Sequence, residues 1–470
     1  MKKKSNKRKN STNSTKDRQK IKINKQKLFI FISSIFIIIC ILWYGSRAIY
    51  YYLDTRKKVK NEDKFLAQTI IDKNYNTDNF KKINNDYYFY KDAKNNYLSY
   101  SNMLWRIVKV NKDNQITLIL DNPITYLANG KDKDFKSSYI TKWLNKKEST
   151  SSTSTTSSDN SIKNKTGILE NNLNNKQKYL MKTTTCIDNI KNIKSATCNK
   201  TSNDNYLSLL SVIDYINTGA EDSFINNGYY SYLANNKNKD VWYITDDGKL
   251  DTSDGEDIYS VKPVITIKAN VSVISGKGSK KTPYIIEDDK SYFASYVKLD
   301  DDLYRVYDSN DDYVKLVAND YLKVDDEYLE YNYSSKNYLY NDKISKSLAY
   351  YLNRIYINKL SYKNLIVTNN YSNSYYGEDN KFNYQLTLNN SLSTKIAIPS
   401  IGDAVVNKLS NYSTTTGTGE DSEEIYTISK DGTLDQIDIQ DKTYVLPCIT
   451  IAKENLKAGQ GSIDDPYRTE

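Results

Sequence analysis

The sequence predicts an α+β protein: an N-terminal single transmembrane helix followed by two tandem homologous mixed α/β domains outside the cell. Three observations carry this. A block of sequence occurs twice, an uncharged apolar run follows a strongly basic start, and short β-rich runs alternate with short helical patterns.

The duplicated block is the clearest of these. Residues 241–284 contain Asp247, Gly248, Leu250, Asp251, Pro263, Ile265 and Ile267, which recur 184 positions later as Asp431, Gly432, Leu434, Asp435, Pro447, Ile449 and Ile451. Gly276, Gly278, Pro283 and Tyr284 recur 183 positions later as Gly459, Gly461, Pro466 and Tyr467. A duplicated domain with one residue deleted accounts for both offsets. The expected organisation is a basic tail over 1–27, a membrane span over 28–53, and a juxtamembrane helix and linker over 54–83. A first repeat over 84–288 and a second over 289–470 follow.

Charge is distributed unevenly. The 470 residues hold 67 Lys and Arg against 57 Asp and Glu, a formal net charge of +10. Twelve of the cations and one acid, Asp17, lie in residues 1–27, so the rest carries 55 basic and 56 acidic residues. With a net charge near zero the body offers no broad cationic field, and no nucleic-acid partner is expected. There is no histidine, which removes Ser-His-Asp and Cys-His nucleophile pairs, imidazole bases and His-containing zinc sites. The 44 tyrosines suit sugar-stacking platforms, although an AT-rich coding bias explains them more simply.

Residues 28–44 (LFIFISSIFIIICILWY) lack any charge. At 1.5 Å per residue they reach about 25 Å, the short end for a bilayer, with Trp43 and Tyr44 placed for an interfacial belt. The positive-inside bias then puts the tail in the cytoplasm and the remainder outside a cell membrane, with the lipid bilayer as a partner through residues 28–53. A cleaved signal peptide is the rival, since Ser46-Arg47-Ala48 resembles a cleavage site.

Within the first repeat, residues 104–120 (LWRIVKVNKDNQITLIL) read as a hairpin turning at 111–114, matched by 303–317 (LYRVYDSNDDYVKLV) with Arg106 kept as Arg305. Residues 139–145 (YITKWLN) and 348–353 (LAYYLN) read as short helices ending in Leu-Asn. Ser149–Ser158 is a run of Ser and Thr inside an insertion over 149–166, expected to be an exposed loop. Cys186 and Cys198, eleven residues apart, suit a disulfide, whereas Cys448 replaces Val264 in a repeated strand and suits a buried hydrophobe. Ser211 and Asp214, repeated as Ser400 and Asp403, have helix-cap spacing.

Asp247-Gly248 and Asp431-Gly432 suit a two-residue hairpin turn in which both residues take positive φ. The surrounding acids raise calcium, but the spacing is not that of an EF-hand and the second copy keeps only two of them. Pro263 and Pro447 each open a buried apolar strand. Gly276-Lys277-Gly278 and Gly459-Gln460-Gly461 read as turns leading to the closing Pro-Tyr; neither continues as a phosphate loop. No cofactor or metal is expected.

The run 242–250 (WYITDDGKL), followed by 261–286 (VKPVITIKANVSVISGKGSKKTPYII), resembles the ending of an extracytoplasmic domain family of low-GC Gram-positive bacteria with no assigned function. The resemblance covers the last 45 or so residues of each repeat strongly and the rest weakly. It implies a surface or secreted location and, more distantly, a fold like that of the C-type-lectin and formylglycine-generating-enzyme group. No catalytic residue carries over. The expected function is that of a membrane-anchored surface protein whose paired domains bind an extracellular glycan, peptide or envelope protein. An envelope hydrolase with paired carboxylates drawn from Asp214/Asp403, Asp247/Asp431 and Asp251/Asp435 is the alternative. A sensor passing a signal through the span is a third reading.

Overall fold

The computed structural model describes residues 43, 45, 65–130, 132–146, 167–287, 291–371, 374–375, 387–388, 392–403, 411–419, 422–429 and 434–469. Both sequence copies lie in one compact unit, residues 61–470.

The first copy opens with a helix, Leu66–Asn74, and then β1 (Phe80–Ile83), β2 (Asp86–Phe89), β3 (Tyr97–Tyr100), β4 (Met103–Val110) and β5 (Ile116–Leu120). The β4–β5 hairpin forms where β-branched and aromatic residues flank the Asn-rich turn, with Asn114 at φ 60°. The strand Val264–Ile267 lies between β5 and Leu207–Ser208, and β3 flanks β4. The second copy repeats this order with Tyr296–Leu299, Asp302–Ser309, Tyr313–Ala318, Cys448–Ala452 and Ile396–Ala397. Even the bulge recurs, between Ile107 and Lys109 in one hairpin and between Val306 and Asp308 in the other.

A second sheet is also shared. In the first copy its order is Leu250–Ser253, Asp240–Ile244, Ser231–Lys237, Ile258–Val261, Thr125–Ala128. In the other it is Leu434–Asp438, Glu424–Ile428, Tyr412–Gly417, Lys442–Tyr444, Glu330–Asn332. Trp105, Trp143, Tyr100 and Leu118 fill the first core and Tyr304, Tyr338, Leu316 and Leu352 the second. The copies also touch: the Trp143 indole donates to the Gly402 carbonyl at 2.9 Å, and Ala128 packs with Ile401.

The α+β expectation is corrected. Strands take 36% of residues and helices 15%, a mostly β-sheet protein. The helical patterns 139–145 and 348–353 become short turns of helix, capped by Ser138 and Ser347, that lie against sheets instead of forming layers of their own. Isolated helices of one or two turns are too short to propagate, so the β-rich runs set the architecture.

The expected transmembrane helix is corrected as well, and with it the single-pass, signal-anchor, cell-membrane placement. Among the described residues no helix is long and apolar enough to cross a membrane. The uncharged apolar run is seventeen residues, the short end of the about 17–25 that a spanning helix takes. Apart from Trp43 and Gly45, residues 28–53 lie outside the described residues, as do the tail 1–27 and the Ser/Thr run 149–158.

Candidate functional site

The repeated Gly-x-Gly and Pro-Tyr residues act as a clasp that closes each copy on its own beginning. Tyr97 donates its backbone N–H to Gly278 O at 2.7 Å, and Tyr284–Ile285 pairs in parallel with β3. The second copy does the same: Tyr296 N–H reaches Gly461 O at 2.8 Å, and Tyr467 bridges Val297. Glycine is required here, because Gly278 has φ +88° and a Cβ would sit 2.6 Å from Asn95 O and 2.5 Å from the Tyr284 ring. At Gly276 a Cβ would lie 1.8 Å from Pro283 O, and at Gly459 2.0 Å from Pro466 O. Pro263 and Pro447 both precede the central strand, and their carbonyls accept from Leu120 N–H at 3.0 Å and Ala318 N–H at 2.9 Å.

Arg106 works against the same loop. Its Nη2 donates to Ala93 O at 2.6 Å, Nε to Asn96 Oδ1 at 2.8 Å and Nη1 to Tyr97 Oη at 3.0 Å, and its guanidinium lies 4.1 Å from the Tyr97 ring centroid. Arg305 repeats the tyrosine part only, with Nη1 at 2.7 Å from Tyr296 Oη. In the first copy, the clamped loop contributes to a pocket of about 280 Å³ lined by Asn74, Thr77, Asn79, Phe89, Asp92, Ala93, Lys94 and Asn95. The C-terminal end of the Leu66–Asn74 helix also lines it through Asn74, whose Nδ2 donates to Ile70 O at 2.8 Å. Among the described residues the second copy has no counterpart of that helix or of β1 and β2. Only ten residues separate its first strand from the last strand of the first copy.

The first copy also holds two groups of buried charge. Asp214, at the third position of the helix Val212–Asn217, accepts from Lys109 Nζ at 2.7 Å, Tyr88 Oη at 2.8 Å and the Ser211 hydroxyl at 2.8 Å. Burial alone would raise the Asp214 carboxyl, but Lys109 outweighs it and holds the pKa below the usual range. Burial also opposes the Lys109 charge, and Asp214 and Tyr88 overcome that and raise it. In the second copy Asp403 keeps the bond to the Ser400 hydroxyl, while the Lys109 position is Asp308, paired with Lys315 on the neighbouring strand at 3.8 Å.

The other group contains Lys262, with Asp121 and Arg106 acting on it electrostatically. Its Nζ donates to Ile225 O at 2.9 Å and Asn227 Oδ1 at 3.3 Å, and burial pushes its pKa down to about 7. Asp121 is claimed by Arg106 at 3.6 Å and by Lys280 at 3.3 Å. Sequence reading overlooked Lys262, whose only signal was a cation in an otherwise apolar strand start where the second copy has Leu446.

The remaining predicted residues are dispersed. The turn at Asp247-Gly248 differs from the expected one: Gly248 alone has positive φ, +86°, and Thr245 N–H pairs with Lys249 O at 2.8 Å across a longer loop. Five residues, not two, separate the strands, so a turn with one left-handed position suffices. Asp247 is exposed, and Lys249 and Thr245 hold its pKa at about 2. Asp431 and Gly432 lie outside the described residues. Asp251 is exposed and Asp214 buried, so the acids of the hydrolase alternative differ in environment as well as in partners.

Cys186 and Cys198 are joined as a disulfide with Cα atoms 5.7 Å apart. Asp188 is the third member of the only metal-type group among the described residues, and its carboxylate accepts instead from Asn199 N–H at 2.6 Å and Lys200 N–H at 2.8 Å. Cys448 is free and fully buried. No family model, curated protein or solved structure matches the chain.

Proposed function

We propose that this chain is a binding protein and that its recognition site is the pocket of the first copy. One observation carries this reading: a concave site lined by polar side chains, its loop clamped by Arg106 and its Asn74 side chain held by Ile70 O. Lys109, Asp214 and Lys262 are buried and already paired, which supports a structural use of their charge over a catalytic one.

Ligands of the glycan or short-peptide class fit such a rim, and the near-neutral body argues against nucleic acid. Among the described residues the second copy has no counterpart of the helix and the first two strands that line this pocket, so the reading rests on the first copy and not on avidity between two equal copies. Equilibrium binding of the full chain to soluble glycan and peptide panels tests the reading. Saturable binding abolished by Asn79→Ala with Asp92→Ala supports it; binding that survives both changes, or none at all, refutes it.

A further inference from the structure

The pocket's chemistry narrows the ligand class, and the inference rests on the binding reading above. Its lining includes Phe89 and Ala93, both almost fully buried, so the accessible contacts come from polar side chains, among them Asn79, Asp92, Lys94 and Asn95. Asn79 spends both amide hydrogens on Tyr90 O at 3.1 Å and Asp92 Oδ1 at 3.0 Å, which leaves its own Oδ1 and Asp92 Oδ2 facing a ligand as acceptors. Lys94 and Asn95 are exposed and, among the described residues, make no side-chain hydrogen bond or ion pair, so both supply donors.

One carboxylate and one ammonium leave the rim without net charge. An anion would meet Asp92 and a cation Lys94, each at close range, whereas a group that donates and accepts from the same atom satisfies both. Hydroxyls do this, and adjacent hydroxyls on a ring match a carboxylate beside an amide. A volume of about 280 Å³ is at the small end for ligand pockets, room for one ring and not for a chain.

We propose that the pocket bordered by Asn79, Asp92, Lys94 and Asn95 binds a single uncharged sugar ring through hydrogen bonds from its hydroxyls to these side chains. A ligand of that size, held at a half-open site, should bind weakly, with a Kd on the order of 1 mM. Clustering of chains, not the internal duplication, would then supply strength on a polymeric glycan.

Saturation-transfer NMR on the full chain, with glucose, galactose and N-acetylglucosamine as probes and alanyl-alanine and inorganic phosphate as charged controls, tests this. Transfer to at least one sugar, reduced more than tenfold by Asp92→Ala and by Asn95→Ala but unchanged by Tyr328→Ala in the second copy, is the expected result. The rim residues are exposed, so circular dichroism should show both variants folded. Dipeptide or phosphate binding that the same variants abolish, without sugar binding, would overturn the sugar assignment and leave the binding reading standing. Silence from every probe overturns both.

Discussion

The buried amine of Lys262 should make this protein more stable in mild alkali than at neutrality. Lysine in an unfolded chain titrates near 10.5, while burial brings the folded group down to about 7. Between those values the unfolded chain holds a proton that the folded one has released, so stability rises with pH. A chain without histidine has few other groups titrating there. Integrating the proton difference from pH 7 to pH 8.5 at about 1.4 kcal/mol per unit yields a gain of roughly 1.5 kcal/mol.

The gain should then fade. Burial raises Cys448 and many tyrosines, so above about pH 9 the unfolded chain loses protons that the fold retains, and stability falls again. Urea unfolding of the full chain at half-unit steps from pH 6.5 to 10 would show a maximum near 8.5 to 9. Lys262→Leu copies Leu446, which occupies the same strand start in the second copy at full burial. That variant should be flat between pH 7 and 8.5. A wild-type curve without the rise, or a variant that keeps it, would refute the argument.

Three further outcomes are expected. Lys109→Met strands the Asp214 carboxylate in the interior and should cost about 3–5 kcal/mol in chemical denaturation, more than removing a surface cation would. Gly278→Ala drives a methyl into Asn95 O and the Tyr284 ring, so a loss of about 1–3 kcal/mol is expected, with the exposed Lys277→Ala as a mild control on the same loop. Reducing the Cys186–Cys198 bond should lower stability by about 3 kcal/mol, read as a drop in the urea midpoint that Cys186→Ser reproduces.

How much of this was legible beforehand follows from how local each signal is. The hairpin over 104–120, the proline-led strands and the Ser211 cap are set by residues within a few positions of one another, and steric and hydrogen-bond preferences act at that range. Repetition extended the reach: Gly276, Gly278 and Tyr284 stood out because they return as a set. Arg106 stood out too, but only as a repeated letter. Its partners Ala93, Asn96 and Tyr97 become meaningful once β3 lies beside β4.

Sequence alone determined that the chain carries two versions of one plan and that glycine must stand where each version shuts, since no other residue tolerates that backbone and approach. It misjudged the balance of helix and strand, because a short apolar pattern cannot say how far a helix will run. Tertiary structure alone decided which charges are buried and with whom: Lys109 meets Asp214 across 105 positions, and Lys262 finds Ile225 O from 37 away. Burial is a property of the assembled whole, and so is the pocket of the first copy.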